Sequence, residues 1–322
     1  MSGETLSPPA QADRATLRMG TRGSPLALAQ SREVAAALEA HHPGLRVHLA
    51  VIRTSGDRIQ DVALAKVGGK GLFVKEIEEA LLTRRIELAV HSMKDLPAHL
   101  PPGLTLGAIT AREEGGDVLV TREARSLDEL PPGARVGTSS LRRQAQLLHR
   151  RPDLHVVPLR GNVDTRLRKL TEGSLDAIVV AAAGLKRLGA KPATAIPLPL
   201  DVSLPAPGQG ALGVEIREDD RATAALVAVL EDKASRIAVT AERAFLRRLG
   251  GSCQVPIAAY GTVRGDLLTL AGLLASPDGK ALVRDTLTGP VLEAESLGTA
   301  LAERLLAQGA DRILRELAGE LG

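Results

Sequence analysis

ARVGTSSLRRQAQLLHR, residues 134–150, decides the fold class. Ala134 to Gly137 reads as a short strand. Thr138-Ser139-Ser140 then offers the hydroxyls of a helix N-cap, and the helix that follows is stopped by Pro152, which cannot continue it. The grammar repeats at once. HVVPL (155–159) reads as a strand, Asn162 caps a helix that ends at Gly173, and AIVVAA (177–182) reads as the next strand. Strands alternating with helices argue for an α/β unit, a mostly parallel sheet covered by helices.

Working outward, the first half has the same character. Ser24-Pro25 is a helix start with Pro at the first helical position, and Leu26, Ala29, Val34, Ala37 and Leu38 form a helical stripe that ends at Pro43-Gly44. Val47, Leu49 and Val51 alternate as a strand. A helix is expected from about Leu72 to Arg85, and LAVHS, LTLGAIT and DVLVT are short apolar strands. Residues 203–208, SLPAPG, read as a linker, and LGVEI after them as a strand returning to the first unit. Near Asp232 a third unit begins, with a helix through Phe245, a strand at Val255 to Thr262, a hairpin turning at 276–279, and two closing helical stripes. The expected organisation is a flexible tail (1–16), a first α/β domain (17–115 with 210–230), a second (116–204) and a small α+β domain (232–322).

Composition narrows the function. The chain has 322 residues, 44% of them hydrophobic and 25% charged, the balance of a folded globular protein. Phe73, Phe245 and Tyr260 are the whole aromatic complement, so base recognition by ring stacking is not expected. A single cysteine, Cys253, excludes an intramolecular disulfide and any cysteine zinc cluster. No apolar run reaches the roughly 18 residues needed to span a bilayer. The first 16 residues lack the basic start and apolar core of a signal peptide, and a cytoplasmic location follows as the expectation. The net charge is +3, unevenly spread: Arg135 to Arg187 holds 11 Lys/Arg against 4 Asp/Glu, while the segment from Arg284 onward holds 4 Arg against 7 acids.

Three strand-to-helix junctions are basic: Arg22 with Ser24, Thr138-Ser139-Ser140 with Arg142 and Arg143, and Arg160-Gly161-Asn162 with Arg166. Free N–H groups at a helix start, reinforced by hydroxyls and guanidiniums, suit carboxylate or phosphate, so a polyanionic small ligand is expected. The strand Leu88–Ser92 runs into Met93-Lys94-Asp95, and strand ends of this kind face the ligand crevice of an α/β sheet. Asp95 beside Lys94 there reads as a charged stabiliser or a proton shuttle, against the plainer alternative of a strand-ending turn. Residues 54–71, glycine-rich with Lys66 and Lys70, read as a lid that brings charge onto bound carboxylates. Gly208, Gly210 and Gly213 satisfy a dinucleotide-binding spacing, but Pro205 and Pro207 replace the strand it requires. A lone Cys is usually a small buried hydrophobe, but Cys253 follows a glycine pair on a loop where a thiol can be exposed, and its spacing fits a nucleophile or an anchor equally. His91 is the one candidate base for a cysteine hydrolase.

Several longer stretches carry a resemblance. GTRGSPLALAQ (20–30), LAKVGGKGLFVKEIEEAL (64–81), AVHSMKDLP (89–97), VGTSSLRRQAQL (136–147), LRGNVDTRL (159–167), AAAGLKRLG (181–189), LPAPGQGALGVE (204–215) and AERAFLRRLGGSCQVPIAAYG (241–261) occur in one order. Together they resemble the porphobilinogen deaminase (hydroxymethylbilane synthase) family, with Ser252 where many members have Gly. The resemblance implies three domains around a central cleft, two of them like periplasmic binding proteins. It implies that four porphobilinogen molecules lose ammonia and join head to tail on a dipyrromethane cofactor, itself held to Cys253 by a thioether. It implies Asp95 as the catalytic carboxylate, with Lys94, Ser140, Arg142, Arg143 and Arg166 on the cofactor. Arg22, Ser24, Ser92, Thr138, Ser139, Arg160 and Arg187 are expected on substrate, in a monomer with no metal and neither nucleic-acid nor membrane partners. A solute-binding relative would share the two lobes and the anion crevice but would need neither Cys253 nor the third domain.

Overall fold

A computed structural model describes residues 16–55, 74–251 and 255–321. Strands β1 (Thr16–Thr21), β2 (Arg46–Val51), β3 (Leu88–Ser92), β4 (Leu104–Ile109) and β10 (Leu212–Arg217) form one sheet in the order β2-β1-β3-β10-β4. Strands β5 (Asp117–Thr121), β6 (Arg135–Gly137), β7 (His155–Val157), β8 (Ala177–Ala181) and β9 (Ala195–Pro197) form a second, in the order β7-β6-β8-β5-β9. Strands β11 (Ile257–Arg264), β12 (Leu267–Ala275) and β13 (Leu282–Pro290) make an antiparallel third sheet.

The helices begin where their caps dictate. Helix α1 (Pro25–His41) starts behind Ser24, whose hydroxyl accepts from the Ala27 amide at 3.2 Å. Helix α2 spans Lys75–Leu82. Helix α3 (Leu141–Arg150) is capped by Ser140, and α4 (Val163–Thr171) by Asn162, each side-chain oxygen accepting an orphan first-turn N–H. Short helices α5 (Ala182–Arg187) and α6 (Arg221–Val227) follow β8 and β10. Helix α7 (Lys233–Arg248) is capped by Asp232, and α8 (Ala294–Leu305) and α9 (Asp311–Leu321) close the chain. Fully buried Phe245 of α7 packs with Leu268, Leu270 and Leu301, the core of the third unit.

The expectation of a mostly parallel sheet holds for four of the five strands in each lobe, and one strand in each departs from it. In the first sheet β1 runs parallel to β2 and β3, but β10 runs antiparallel to both β3 and β4. The second sheet repeats this: β6 is parallel to β7 and β8, while β5 is antiparallel to β8 and β9. The reason is an exchange. The chain leaves β4 of the first sheet and enters the second as β5, then leaves β9 and returns to the first as β10. Each antiparallel strand is the one that arrives from the other lobe.

The two crossing segments are bonded to each other. Arg112 Nε donates to the Gln209 carbonyl at 2.9 Å, and Gln209 Nε2 donates to the Gly115 carbonyl at 2.7 Å. Arg112 also forms a two-pronged ion pair with buried Glu242 of α7, at 2.6 and 2.8 Å, which joins the third unit to the crossing. The stretch 203–208, which reads as a linker, is in fact largely buried, with Ser203 and Leu204 1% exposed or less. Gly210 sits at φ 95°, and a Cβ there would come within 2.4 Å of the Glu113 carbonyl, so only glycine lets the two crossings approach.

Candidate functional site

The carboxyl end of β3 is the centre of the crevice. Ser92 accepts from Gln30 Nε2 of α1 at 2.8 Å, which fixes the strand end against that helix. A single 3-10 turn, Met93–Asp95, follows. Met93 is buried as the plug, Lys94 is half-buried, and Asp95 is exposed at the crevice. Gly208, at φ 77°, passes so close that a Cβ would lie 2.7 Å from the Met93 Cβ, and the Met93 amide donates to the Ala211 carbonyl at 3.0 Å. The turn is therefore backed by the returning crossing segment. A small cavity beside it is lined by Arg22, Gln30, His91, Ser92 and Asp95.

Beneath the turn lies a buried acidic cluster. His91 Nε2 is 3.0 Å from Glu215 Oε2, with both side chains buried. Glu78 of α2 is pushed up to about 7 by burial and by the Glu215 charge. His91 is thus committed to Glu215.

The second lobe meets the turn at the start of α3. Arg142 and Arg143 point inward, each 6% exposed, and both bind Asp117, which is 1% exposed. Arg142 Nη1 donates to Asp117 Oδ2 at 2.8 Å and to the Leu204 carbonyl at 2.7 Å. Arg143 Nη2 and Nε donate to Asp117 Oδ1 at 2.7 and 3.1 Å, and Nη1 donates to the Val179 carbonyl at 3.0 Å. Ser203 Oγ and Gln209 Nε2 also donate to Asp117, both at 2.9 Å. Burial alone would push this carboxyl up; the two guanidiniums overcome that and hold it far below the usual carboxylate range. The twin arginines of the expected cofactor set are, in this arrangement, partners of a buried carboxylate, a contact that no local spacing signals.

Lys94 and Arg166 are different. Lys94 Nζ donates to Gln209 Oε1 at 3.3 Å, and Arg166 Nε donates to the Gly161 carbonyl at 2.9 Å. Neither forms an ion pair among the described residues. Burial lowers the Lys94 ammonium to about 8, with Asp95 and Asp117 opposing and Arg143 and Arg142 adding to the fall. Burial and the Arg143 charge lower Arg166, and Asp95 opposes them. Two desolvated cations without carboxylates, close enough to Asp95 and Arg143 to feel their charge, need anions to complete them. A ligand rich in carboxylates, such as dipyrromethane, fits that need.

The other expected residues are distributed as follows. Arg22 and Ser24 lie at the start of α1, with the Ser24 hydroxyl spent on its cap. Thr138 is buried, and its hydroxyl accepts from the Ser140 amide at 3.2 Å, while Ser139 Oγ donates to the Leu159 carbonyl at 2.9 Å. Arg160 is half-buried before α4. Arg187 pairs with Glu33 of the opposite lobe at 3.0 Å, and Lys186 pairs with Glu113 at 2.8 Å, so this helix end bridges the mouth. Lys66, Lys70 and Cys253, and most of the expected lid, lie outside the described residues. Sequence reasoning missed Asp117, Gln209 and Gln30. Gln209 sat inside the glycine-rich stretch set aside as a false dinucleotide motif, and its own signal was a polar residue between two glycines.

Known proteins match the chain over nearly its whole length. A family model described as "Porphobilinogen deaminase, dipyromethane cofactor binding domain" matches residues 17–225. A second, "Porphobilinogen deaminase, C-terminal domain", matches residues 236–307. The porphobilinogen deaminase of Syntrophotalea carbinolica is 62% identical over 94% of this chain and 96% of its own length. That of Geobacter metallireducens is 56% identical over 94% of both chains. Among solved structures, the periplasmic aliphatic sulphonate binding protein SsuA from Escherichia coli aligns with 75% of this chain and 73% of its own, at 13% identity and a TM-score of 0.41. With Asp95, Lys94 and Arg166 gathered where the two lobes meet, and both family models matched in order along the chain, this chain belongs to the porphobilinogen deaminase family.

Proposed function

We propose that the crevice around Asp95 is where this chain, as a transferase of tetrapyrrole biosynthesis, condenses four porphobilinogen molecules head to tail into hydroxymethylbilane with loss of ammonia. The observation that carries the placement is the pair of half-buried cations, Lys94 and Arg166, which have no ion-pair partner among the described residues, beside an exposed Asp95. Each pyrrole bears an acetate and a propionate, so the lengthening chain is a polyanion that these cations, with Arg22, Arg160 and the helix starts, can hold.

Dipyrromethane, attached through a thioether to Cys253, supplies the primer to which pyrroles are joined. Lys94 and Arg166 would hold its carboxylates, and Arg143, fixed by Asp117, would contribute positive potential from behind. In each cycle the bond between the substrate's methylene carbon and its nitrogen, protonated as an ammonium group, breaks, and ammonia leaves with the electron pair. The cation left behind is spread over the pyrrole nitrogen. Asp95 faces that charge and accepts the pyrrole N–H, a stabilisation set in place before the bond breaks. Asp95 is placed to take the proton that the free ring carbon of the primer would lose on joining to that cation. Met93 and the crossing segment behind it exclude water from the back of the turn. The enzyme acts as a cytoplasmic monomer; among the described residues no helix is long and apolar enough to cross a membrane.

Intact mass spectrometry tests this reading. Purified protein should exceed the sequence mass by two pyrrole units, gain further single units on brief exposure to porphobilinogen, and lose the primer in Cys253→Ser. Asp95→Asn should retain the primer and turn over about 10²-fold more slowly. Active enzyme at the bare sequence mass, or normal turnover in Asp95→Asn, would reject it.

A further inference from the structure

After Asp95 the chain leaves the crevice through Leu96, Pro97 and Ala98, which belong to no helix or strand. Their carbonyls are gathered by one side chain of another unit. Arg243 of α7 donates from Nη2 to the Pro97 carbonyl at 2.7 Å and the Ala98 carbonyl at 3.1 Å, and from Nη1 to the Leu96 carbonyl at 3.5 Å. Arg243 is 7% exposed and has no carboxylate partner among the described residues. Burial and neighbouring Arg247 bring its guanidinium down to about 10.

A buried guanidinium served only by carbonyls is a costly way to hold two units together. The same helix already carries the economical form of that joint one residue earlier, where Glu242 takes both prongs of Arg112. Arg243 therefore does something the joint does not require: its rigid fork fixes the three peptide groups directly after Asp95. Helix α7 ends at Arg248, and Cys253 follows on the same segment. A groove of about 460 Å³ lies beside the fork, lined among others by Ala98, His99, Arg243 and Arg247, so the loop has room to move once the fork is removed.

We propose that Arg243 is a positioning residue for the condensation, holding the Asp95 turn in place relative to the helix that leads to Cys253. The inference rests on the roles given above to Asp95 and Cys253. Through it, one unit carries the primer while also setting where the catalytic carboxylate stands.

The test uses holoenzyme of Arg243→Leu, Arg243→Lys and Asp95→Glu, and the Arg243→Leu/Asp95→Glu double variant, with kcat, KM and intact mass measured for each. Arg243→Leu should keep its primer and a KM within about threefold of wild type while kcat falls about 10- to 100-fold, the scale of a 1 Å misplacement. Arg243→Lys, which restores a charged donor, should recover at least part of that loss. Because the effect passes through the carboxylate, the double variant should lose little more than the worse single variant. Should Arg243→Leu not accumulate as folded protein, Arg243→Gln, with one amide donor group, carries the same comparison and should fall between wild type and the expected Leu loss. Losses that multiply in the double variant, or a lowered melting temperature with normal kcat, would overturn the proposal. Normal kcat in Arg243→Leu beside a disabled Asp95→Asn overturns the clamp alone. Normal kcat in Asp95→Asn removes the group to be positioned and overturns both readings.

Discussion

Replacing Asp117 with Asn should unfold the junction of the two lobes well before it disturbs any surface. Asp117 is 1% exposed and takes hydrogen bonds from Arg142, Arg143, Ser203 and Gln209, all within 3.1 Å. Asn is nearly the same size but removes the negative charge and turns an –NH₂ toward a guanidinium. The guanidinium that meets the –NH₂ then keeps only its backbone carbonyl, Leu204 for Arg142 or Val179 for Arg143, and the other meets an uncharged oxygen. Stranding buried charges in this way costs about 3–5 kcal/mol. At roughly 2–4 °C per kcal/mol, thermal unfolding followed by circular dichroism should show a midpoint lower by about 10 °C at pH 7. A second variant fixes the cause. Arg142→Met in the Asp117→Asn background removes one stranded charge and should recover part of the loss. The pH dependence has a defined sign: with its folded pKa held far below the unfolded value, Asp117 stabilises the wild type at all pH above the ordinary aspartate range, and this contribution is lost only in acid. A midpoint within about 2 °C of wild type, or a further loss on adding Arg142→Met, would refute the argument that charge compensation holds this site.

Three further outcomes follow from the same geometry. Glu78, raised to about 7 by burial and Glu215, binds a proton more tightly folded than unfolded, so its stabilising contribution is full below about 4.5 and fades as pH rises through 7. Glu78→Gln should therefore raise the melting temperature at pH 8 by the equivalent of up to about 3 kcal/mol and change it little at pH 4, as thermal melts at the two values would show. Lys94, lowered to about 8 while no primer pairs with it, gives up its charge as pH rises through that value, so primer-free protein should take up its primer less readily above pH 8, as intact mass would show. Lys94→Met should slow that uptake at pH 7 and flatten its pH dependence. Gly208→Ala, at φ 77° and with a Cβ 2.7 Å from the Met93 Cβ, should push on the turn that carries Asp95 and lower kcat at least tenfold, measured on primer-loaded protein.

The sequence by itself determined the elements and the chemistry of the ligand. Caps at Ser24, Ser140 and Asn162 and the apolar runs between them are local signals, because capping and side-chain periodicity depend on neighbours in the chain. Basic strand-to-helix junctions named a polyanion for the same reason, and long motifs in one order named the family. Tertiary structure decided what no neighbour in the chain could. Nothing local at Asp117 or Arg142 says that they meet, since they are 25 positions apart and join only when β5 enters the second sheet from the first. The exchange of β5 and β10 also decided the antiparallel pairings, which follow from where a strand comes from and not from its residues. It decided, too, which cations remain for a ligand. Arg142 and Arg143 look in sequence like the stronger anion site, yet burial against one carboxylate leaves Lys94 and Arg166 without a carboxylate beside Asp95. Charge counts along a chain cannot give that result, because whether a cation is spent or available depends on long-range partners and on how much water each group has lost.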